Sequence, residues 1–219
     1  MTQAGHWKSL KHNGVIFPEL YKPLGFKISI KGRKVGLSPE AEEMVYAWAK
    51  KKDTPYVKDP VFQANFLKCL KPKLPDDFQD MMFKIDDIDF SEPFRIVDEE
   101  KRKKETVSKE EKKRLTSERK ELKEKLRKQY GYAELDGERV EVANWMVEPP
   151  GLFMGRGDHP LRGSWKPCVY SKDVTLNLSE DAPMPPSDWG KIIHDQRCMW
   201  LASWVDKLTN KVKYVWLAD

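Results

Sequence analysis

One arginine stands between two glycines inside an unusually stiff segment of the chain. Residues 148–160 contain three prolines and three glycines in 13 positions, which excludes a helix or a central strand and predicts a shaped loop. Glycine on either side of Arg156 lets the backbone approach a ligand closely. A guanidinium presented this way suits the minor groove of DNA, where planar donors meet base acceptors in a negative potential. The alternative is a surface turn in which Arg156 pairs with Glu148 or Asp158.

Two histidines neighbour an aspartate, in the pairs Asp158-His159 and His194-Asp195. A general base and its orienting acid need these residue types. The members of such sets normally converge from distant segments, however, so the pattern favours structural or DNA-contacting roles. No nucleophile, base and orienting group can be named together, which disfavours an autonomous hydrolase.

Metal and cofactor motifs are missing from the sequence. Cys69, Cys168 and Cys198 form no Cys-x-x-Cys pair, and their odd number and wide spacing do not make a disulfide framework. There is no Walker loop, and the Gly-Arg-Gly run is too short for a dinucleotide fingerprint. We therefore expect no metal, no cofactor and a reducing, intracellular compartment.

Targeting and membrane signals are equally absent. Residues 1–7 lack the basic-then-apolar layout of a signal peptide, and no apolar run approaches the roughly 18 residues of a spanning helix. We expect no membrane partner.

Charge is distributed in blocks along the 219 residues, whose formal net charge is +5. Residues 1–75 carry 14 basic and 6 acidic side chains, residues 76–98 carry 2 and 8, and residues 99–130 carry 14 and 8. Basic blocks of this kind could form the electrostatic footprint of a polyanion. They could equally be solvated faces, which are common on proteins that bind no nucleic acid.

Helical patterns dominate the middle of the chain. Ser38-Pro39 and Asp59-Pro60 are typical helix starts, since the first residue caps free amides and proline fits the first turn. Residues 99–130 hold 22 charged side chains with one narrow leucine seam, which predicts a single solvated helix that projects from the body or lies along its surface. The leucine repeat extends over too few heptads to assign a coiled coil.

Strand patterns flank this helical region. Alternation over residues 26–37 predicts a short hairpin, and two apolar runs at 198–205 and 212–217 predict an antiparallel pair joined by about six residues. The expected class is therefore α+β, with a mixed or antiparallel strand-rich subdomain, an inserted helical subdomain and a long projecting charged helix.

The loop and several further motifs resemble the eukaryotic type IB DNA topoisomerases, in order and over essentially the whole chain. The matching segments are Trp7-Lys8-x-Leu10-x-His12-Asn13-Gly14-Val15-Ile16-Phe17-Pro18, Leu37-Ser38-Pro39-x-Ala41-Glu42-Glu43, Asn65-Phe66, Glu148-Pro149-Pro150-Gly151-Leu152-Phe153, Gly155-Arg156-Gly157, His159-Pro160, Leu176-Asn177-Leu178-Ser179-x-Asp181-Ala182-Pro183, His194-Asp195, Trp200-Leu201-Ala202-x-Trp204 and Lys213-Tyr214. Two departures are visible. Met154 replaces a residue that is usually basic, and Trp165-Lys166-Pro167 stands where the family usually has a basic cluster.

The resemblance implies that this region is the cap lobe of a clamp around duplex DNA. It implies a strand-rich subdomain of residues 1–20 and 108–219, which includes the charged helix, and a helical subdomain of residues 21–107. Duplex DNA is then the expected partner, together with the catalytic lobe and the nucleophile-bearing C-terminal segment of the same enzyme or of a separate small subunit.

The resemblance also implies DNA-binding roles for particular residues. Arg156, with Gly155 and Gly157 beside it, would reach the minor groove near the cleavage site. His159, Lys213 and Tyr214 would lie near backbone phosphates. Phe153 would lie in the loop that tunes inhibitor sensitivity in the family.

The family's chemistry would lie beyond this chain, so no catalytic residue is expected in it. The complete enzyme would cleave one strand through a 3′-phosphotyrosine, let the free end rotate and religate it without ATP or an obligatory metal, and it would be nuclear. A different class of function stays open: a non-enzymatic interaction module that docks a partner lobe through the charged helix and a tryptophan-rich face.

Overall fold

The computed structural model describes residues 6–217. The signal-peptide expectation concerns residues 1–7 and so lies mostly outside the described part. The described α-helices are α1 (Pro39–Ala49), α2 (Pro60–Leu70), α3 (Asp76–Gln79), α4 (Ser91–Thr106) and α5 (Lys109–Tyr130). The strands are β1 (Leu10–Lys11), β2 (Ile28–Ile30), β3 (Arg33–Val35), β4 (Ile88–Asp89), β5 (Tyr132–Leu135), β6 (Glu138–Glu141), β7 (Gly151–Leu152), β8 (Trp165–Lys166), β9 (Val174–Asn177), β10 (Lys191–Ile193), β11 (Trp200–Val205) and β12 (Val212–Trp216).

The chain divides into two compact units. The strand-rich unit contains residues up to Pro18, Lys109–Pro149 and everything from Cys168 onwards, and the helical unit contains Glu19–Ser108 and Pro150–Pro167. Helices beside mainly antiparallel sheets confirm the α+β class. None of the helices in residues 6–217 has the length and apolar character needed to cross a membrane.

The helical unit is built as the sequence predicts. The Ser38 hydroxyl accepts a hydrogen bond from the Ala41 amide at the start of α1, and the Asp59 carboxylate caps α2 through the amides of Val61 and Phe62. Strands β3, β2 and β4 form a small antiparallel sheet, which confirms the predicted hairpin. Trp48 at the centre of the core stacks on Phe66, with ring centroids 4.4 Å apart.

The strand-rich unit contains two sheets around its own core. One has the order β1-β5-β6, and the other has the order β10-β9-β11-β12, with β9 and β10 parallel and the remaining pairs antiparallel. The predicted pair at the end of the chain is β11 and β12, so that prediction is confirmed. Leu10, Leu176 and Leu201 are fully buried in this core.

The prediction of a single charged helix over residues 99–130 is wrong, because the structure has two helices there. Val107 is extended (φ −61°, ψ 129°), so α4 ends at Thr106 and α5 begins at Lys109. The sequence Ser108-x-x-Glu111 has the pattern of a capping box, which favours a new helix start inside the charged run. No residue of α5 is fully buried, and the predicted solvated character of its 22 residues is confirmed.

Residues 150–167 lie in the helical unit, whereas the resemblance implies the strand-rich subdomain for them. The units divide after Ser108, whereas the resemblance implies a division before it. The reason for the first difference is packing: β7 contacts α1, β8 contacts α2, and Trp165 is 6% exposed within the helical core. Contacts between segments so distant in sequence leave no local pattern.

Candidate nucleic-acid interface

The Gly-Arg-Gly loop is closed at its base by a short hairpin. Strand β7 pairs antiparallel with β8, with Leu152 opposite Trp165. Beyond this pair the Phe153 amide donates to the Ser164 carbonyl at 2.8 Å, and the Gly163 amide donates to the Phe153 carbonyl at 2.7 Å. The Leu152 and Met154 side chains pack against the helical core. An apolar side chain at position 154 therefore contributes to anchoring the loop.

An ion pair ties the far side of the loop to α2. The Arg162 guanidinium donates to both oxygens of Asp59, Nε to Oδ2 at 2.5 Å and Nη2 to Oδ1 at 3.1 Å. Because Asp59 also caps α2, one carboxylate fixes the helix start and the loop together. The Arg162 hydrogen bond is the largest cause that lowers the pKa of Asp59, and burial opposes it.

Two further contacts hold the loop against the same helix. The Asn65 side-chain amide donates to the carbonyls of Pro160 and Arg162, each at 2.8 Å. Gly163 has a φ of +85°, and a Cβ there would lie 2.2 Å from the carbonyl oxygen of Phe62. Only glycine allows this close approach of two backbones.

Gly155 and His159 are in close contact inside the loop. Gly155 has a φ of +69°, and a Cβ there would lie 2.6 Å from the His159 Cβ. The His159 Nδ1 accepts from the Leu161 amide at 3.1 Å, and its ring meets Phe153 edge-on with centroids 4.9 Å apart. This arrangement assigns the Nε2 atom of a neutral His159 as a donor directed away from that turn.

Arg156 is exposed at the tip of this loop. Among the described residues of the helical unit, none offers it a carboxylate within ion-pair distance, and Asp158 is exposed without bonding to it. Glu148, in the other unit, pairs with Lys213. The alternative in which Asp158 holds Arg156 is therefore not what the structure shows. An exposed guanidinium on a braced loop has its fork of donors available for an anionic ligand.

Lys213 and Tyr214 lie in the strand-rich unit, on β12. Lys213 faces the core side, and its ammonium is 2.6 Å from Glu148 Oε1 and 3.5 Å from Asp206 Oδ2. Tyr214 points to the opposite face, because successive side chains of a strand alternate. It is 42% exposed and contacts Trp200 and Trp216, with ring centroids 5.5 and 5.2 Å away.

The second histidine pair forms no catalytic dyad. The His194 Nδ1 donates to the Leu178 carbonyl at 2.7 Å, whereas Asp195 is bound by the Arg197 guanidinium. The Arg197 hydrogen bonds lower the pKa of Asp195 to about 2. Residues 6–217 contain no group of three side chains able to hold a metal ion.

The residues that brace the loop were not identified as a site from the sequence. Asp59 was recognised only as a helix start and Asn65 only as part of a matching motif. Arg162 and Gly163 received no role. Gly163, a further glycine just after the loop, is a visible signal in the sequence, but the pairing of Arg162 with Asp59 requires the tertiary structure.

Residues 5–217 match the family model described as "Eukaryotic DNA topoisomerase I, DNA binding fragment". The match covers nearly the whole chain, so the chain belongs to the eukaryotic DNA topoisomerase I family and corresponds to its DNA-binding fragment. The resemblance drawn from the motifs is thereby confirmed.

Individual relatives agree with the family match. The chain is 40% identical over 97% of its length to DNA topoisomerase 1 of Candidozyma auris, and 40% identical over 97% to DNA topoisomerase 1 beta of Arabidopsis thaliana. It is 34% identical over 96% to DNA topoisomerase 1 of Homo sapiens. The matched regions are 29%, 23% and 28% of those proteins, so the chain spans about a quarter of their length.

Proposed function

We propose that this chain binds duplex DNA as part of a type IB DNA topoisomerase. The observation that carries the proposal is the exposed Arg156 on a loop braced through Arg162 and Asp59, in a chain that belongs to the topoisomerase I family. Bracing lowers the entropy lost when the loop meets its ligand, which favours binding by a preformed surface. Arg156 enters the minor groove, and Gly155 and Gly157 keep the loop narrow enough for it to do so.

His159, Lys213 and Tyr214 are proposed as phosphate contacts. His159 offers its Nε2–H, and Tyr214 offers a hydroxyl from an exposed ring. The Lys213 ammonium has three donors, of which the carboxylates of Glu148 and Asp206 occupy part. Phe153 packs on His159 and is proposed to set the loop shape on which inhibitor sensitivity depends.

The proposal assigns binding to this chain and bond breaking to residues outside it. In the whole protein a tyrosine attacks a phosphodiester, forms a 3′-phosphotyrosine and releases a 5′-hydroxyl end, which rotates and then attacks the phosphotyrosine to reseal the strand. Relaxation of supercoils follows without ATP. The catalytic lobe and the nucleophile-bearing segment, on the same chain or a small subunit, are the proposed protein partners, and the nucleus is the proposed location.

A salt series tests DNA binding directly. The anisotropy of a labelled 22-base-pair duplex is measured against the concentration of this chain at several salt concentrations. We expect log K to fall linearly with log salt, by about 0.9 for each phosphate that is neutralised. Absence of binding at about 50 mM salt, where phosphate contacts are strongest, would contradict the proposal.

A second candidate function is favoured by the outer face of β12. Val212, Tyr214 and Trp216 are each more than two-fifths exposed and form an apolar strip along an edge strand. Such a strip is typical of a protein-docking surface. In this alternative the chain docks a partner lobe through that strip and through α5. Replacing Trp216 with serine would then weaken association with the partner lobe without weakening duplex binding.

A further inference from the structure

The helical unit contains an aromatic cavity that the proposed DNA contacts do not use. Its volume is about 390 Å³, within the range of about 300–1,000 Å³ that holds small ligands. The lining residues come from α1, α2, α4 and the segments beside them: Trp48, Lys52, Val57, Gln63, Ile85, Asp86, Ile88, Phe90 and Phe94.

The floor of the cavity is made of stacked aromatic rings. Trp48 and Phe90 are almost fully buried, and their rings stack with centroids 6.1 Å apart. Phe94 continues the stack at 5.6 Å from Phe90 and is only partly buried. Gln63 is held at the side by a hydrogen bond from its amide to the Val57 carbonyl at 2.7 Å. The surface is therefore preformed for one large apolar side chain.

The mouth of the cavity is acidic. The Lys52 ammonium is shared between Asp98 at 3.0 Å and Asp53 at 3.2 Å, so its charge is more than offset. Asp86 is exposed, and no cation of the described chain lies within ion-pair distance of it. Asp53 and Asp98, the two partners of Lys52, are themselves 65% and 48% exposed. This potential repels a nucleic acid and attracts a cation.

We infer that this cavity docks a basic peptide segment of a protein partner, with one large apolar side chain inserted on the Trp48–Phe90–Phe94 floor and lysines or arginines on either side. The apolar anchor supplies affinity through burial, and the flanking cations select for this site over other apolar surfaces. An acidic mouth disfavours the DNA backbone, so peptide docking and DNA binding rest on opposite electrostatics.

The test uses the whole chain and a short fluorescein-labelled peptide whose central phenylalanine is flanked by lysines on both sides. Anisotropy is measured at low ionic strength without DNA, so failure here leaves the duplex-binding proposal unaffected. We expect saturable binding that falls at least about tenfold when serine replaces the phenylalanine, as expected for loss of a buried aromatic ring. This arm changes only the peptide and so does not depend on any variant folding.

Two charge-reversal variants distinguish binding at the cavity from a general attraction of the basic peptide to the acidic segment 76–98. Asp86 lies at the mouth, whereas Asp80 is exposed in the same segment and does not line the cavity. We expect Asp86→Lys to weaken peptide binding at least about fivefold and Asp80→Lys to have a clearly smaller effect. Equal losses in both variants, equal binding of the serine peptide, or no binding at all would overturn the inference.

Discussion

Arg162 and Asp59, 103 positions apart in the sequence, form a two-point ion pair that joins the Gly-Arg-Gly loop to the first turn of α2. Both side chains are mostly buried, with 14% and 26% of their surfaces exposed. The pair therefore links helix formation to the position of the loop that carries Arg156.

Replacing Arg162 with lysine tests this link. Lysine keeps the charge but cannot donate two parallel hydrogen bonds to one carboxylate. We expect Arg162→Lys to lower the free energy of unfolding by about 1 kcal/mol and to weaken duplex binding. Urea unfolding and duplex anisotropy measure the two effects. Arg33→Lys is the control, because Arg33 meets Asp77 through one contact at an exposed site. If both variants unfold at the same urea concentration, the two-point pair does not brace the loop.

Three glycines near the loop differ in what a methyl group would meet. Gly157 has a φ of +58° with open space around it, so Gly157→Ala suffers only backbone strain, of about 1 kcal/mol. Gly155→Ala adds a clash with the His159 Cβ, and Gly163→Ala adds one with the backbone of Phe62. We expect the loss of stability to increase in the order 157, 155, 163 in urea unfolding. A Gly157→Ala variant as unstable as Gly163→Ala would contradict the close approaches.

His12 makes the stability of the strand-rich unit depend on pH. The ring is buried, its Nε2 donates to the Asn177 carbonyl and its Nδ1 accepts from the Gly14 amide, so it is neutral. Burial is the main cause that lowers its pKa from 6.5 to about 4. Since the unfolded chain binds the proton more tightly, stability falls as pH drops below 6.5 towards 4.

Two pH values measure the effect of His12. Between pH 7.5 and pH 5 we expect the free energy of unfolding to fall by about 2 kcal/mol from this residue. The His12→Gln side chain cannot take up a proton, so the free energy of unfolding of this variant should fall by about 2 kcal/mol less over the same interval. Equal losses in the variant and in the unchanged chain would show that His12 is not the titrating group.

Lys213 is expected to contribute more to stability than to the salt dependence of DNA binding. Its charge is already offset by Glu148 and Asp206. Lys213→Met should therefore cost about 1 kcal/mol in unfolding free energy and reduce the slope of log K against log salt by clearly less than the roughly 0.9 of a fully available cation, because its ammonium is shared with two carboxylates. An unchanged slope would contradict the proposed phosphate contact of Lys213.

Local features of the sequence predicted the regular elements well. Ser38 and Asp59 marked the starts of α1 and α2 because capping and proline placement are short-range effects. Two apolar runs at 198–205 and 212–217 predicted β11 and β12 for the same reason. The break after Val107 was missed because the surrounding charge pattern continues through it.

The contacts that hold the candidate site in place could not be predicted from the sequence. The loop from Gly155 to Gly157 was recognised by composition, but its attachment to the helical unit depends on Trp165 packing in that core and on Asp59 pairing with Arg162. Such contacts arise from the tertiary fold and leave no periodic pattern. Lys213 and Tyr214 are neighbours in sequence, yet strand alternation directs them to opposite faces.

The most direct test of the account compares Arg156→Ala with Arg33→Ala in duplex binding at one salt concentration. Each variant removes one exposed guanidinium, but Arg33 is paired with Asp77 and lies outside the loop. We predict that Arg156→Ala weakens binding about tenfold, as expected for loss of a groove contact, while Arg33→Ala binds like the unchanged chain. If Arg156→Ala binds the duplex as tightly as Arg33→Ala, Arg156 makes no groove contact and the central proposal is contradicted.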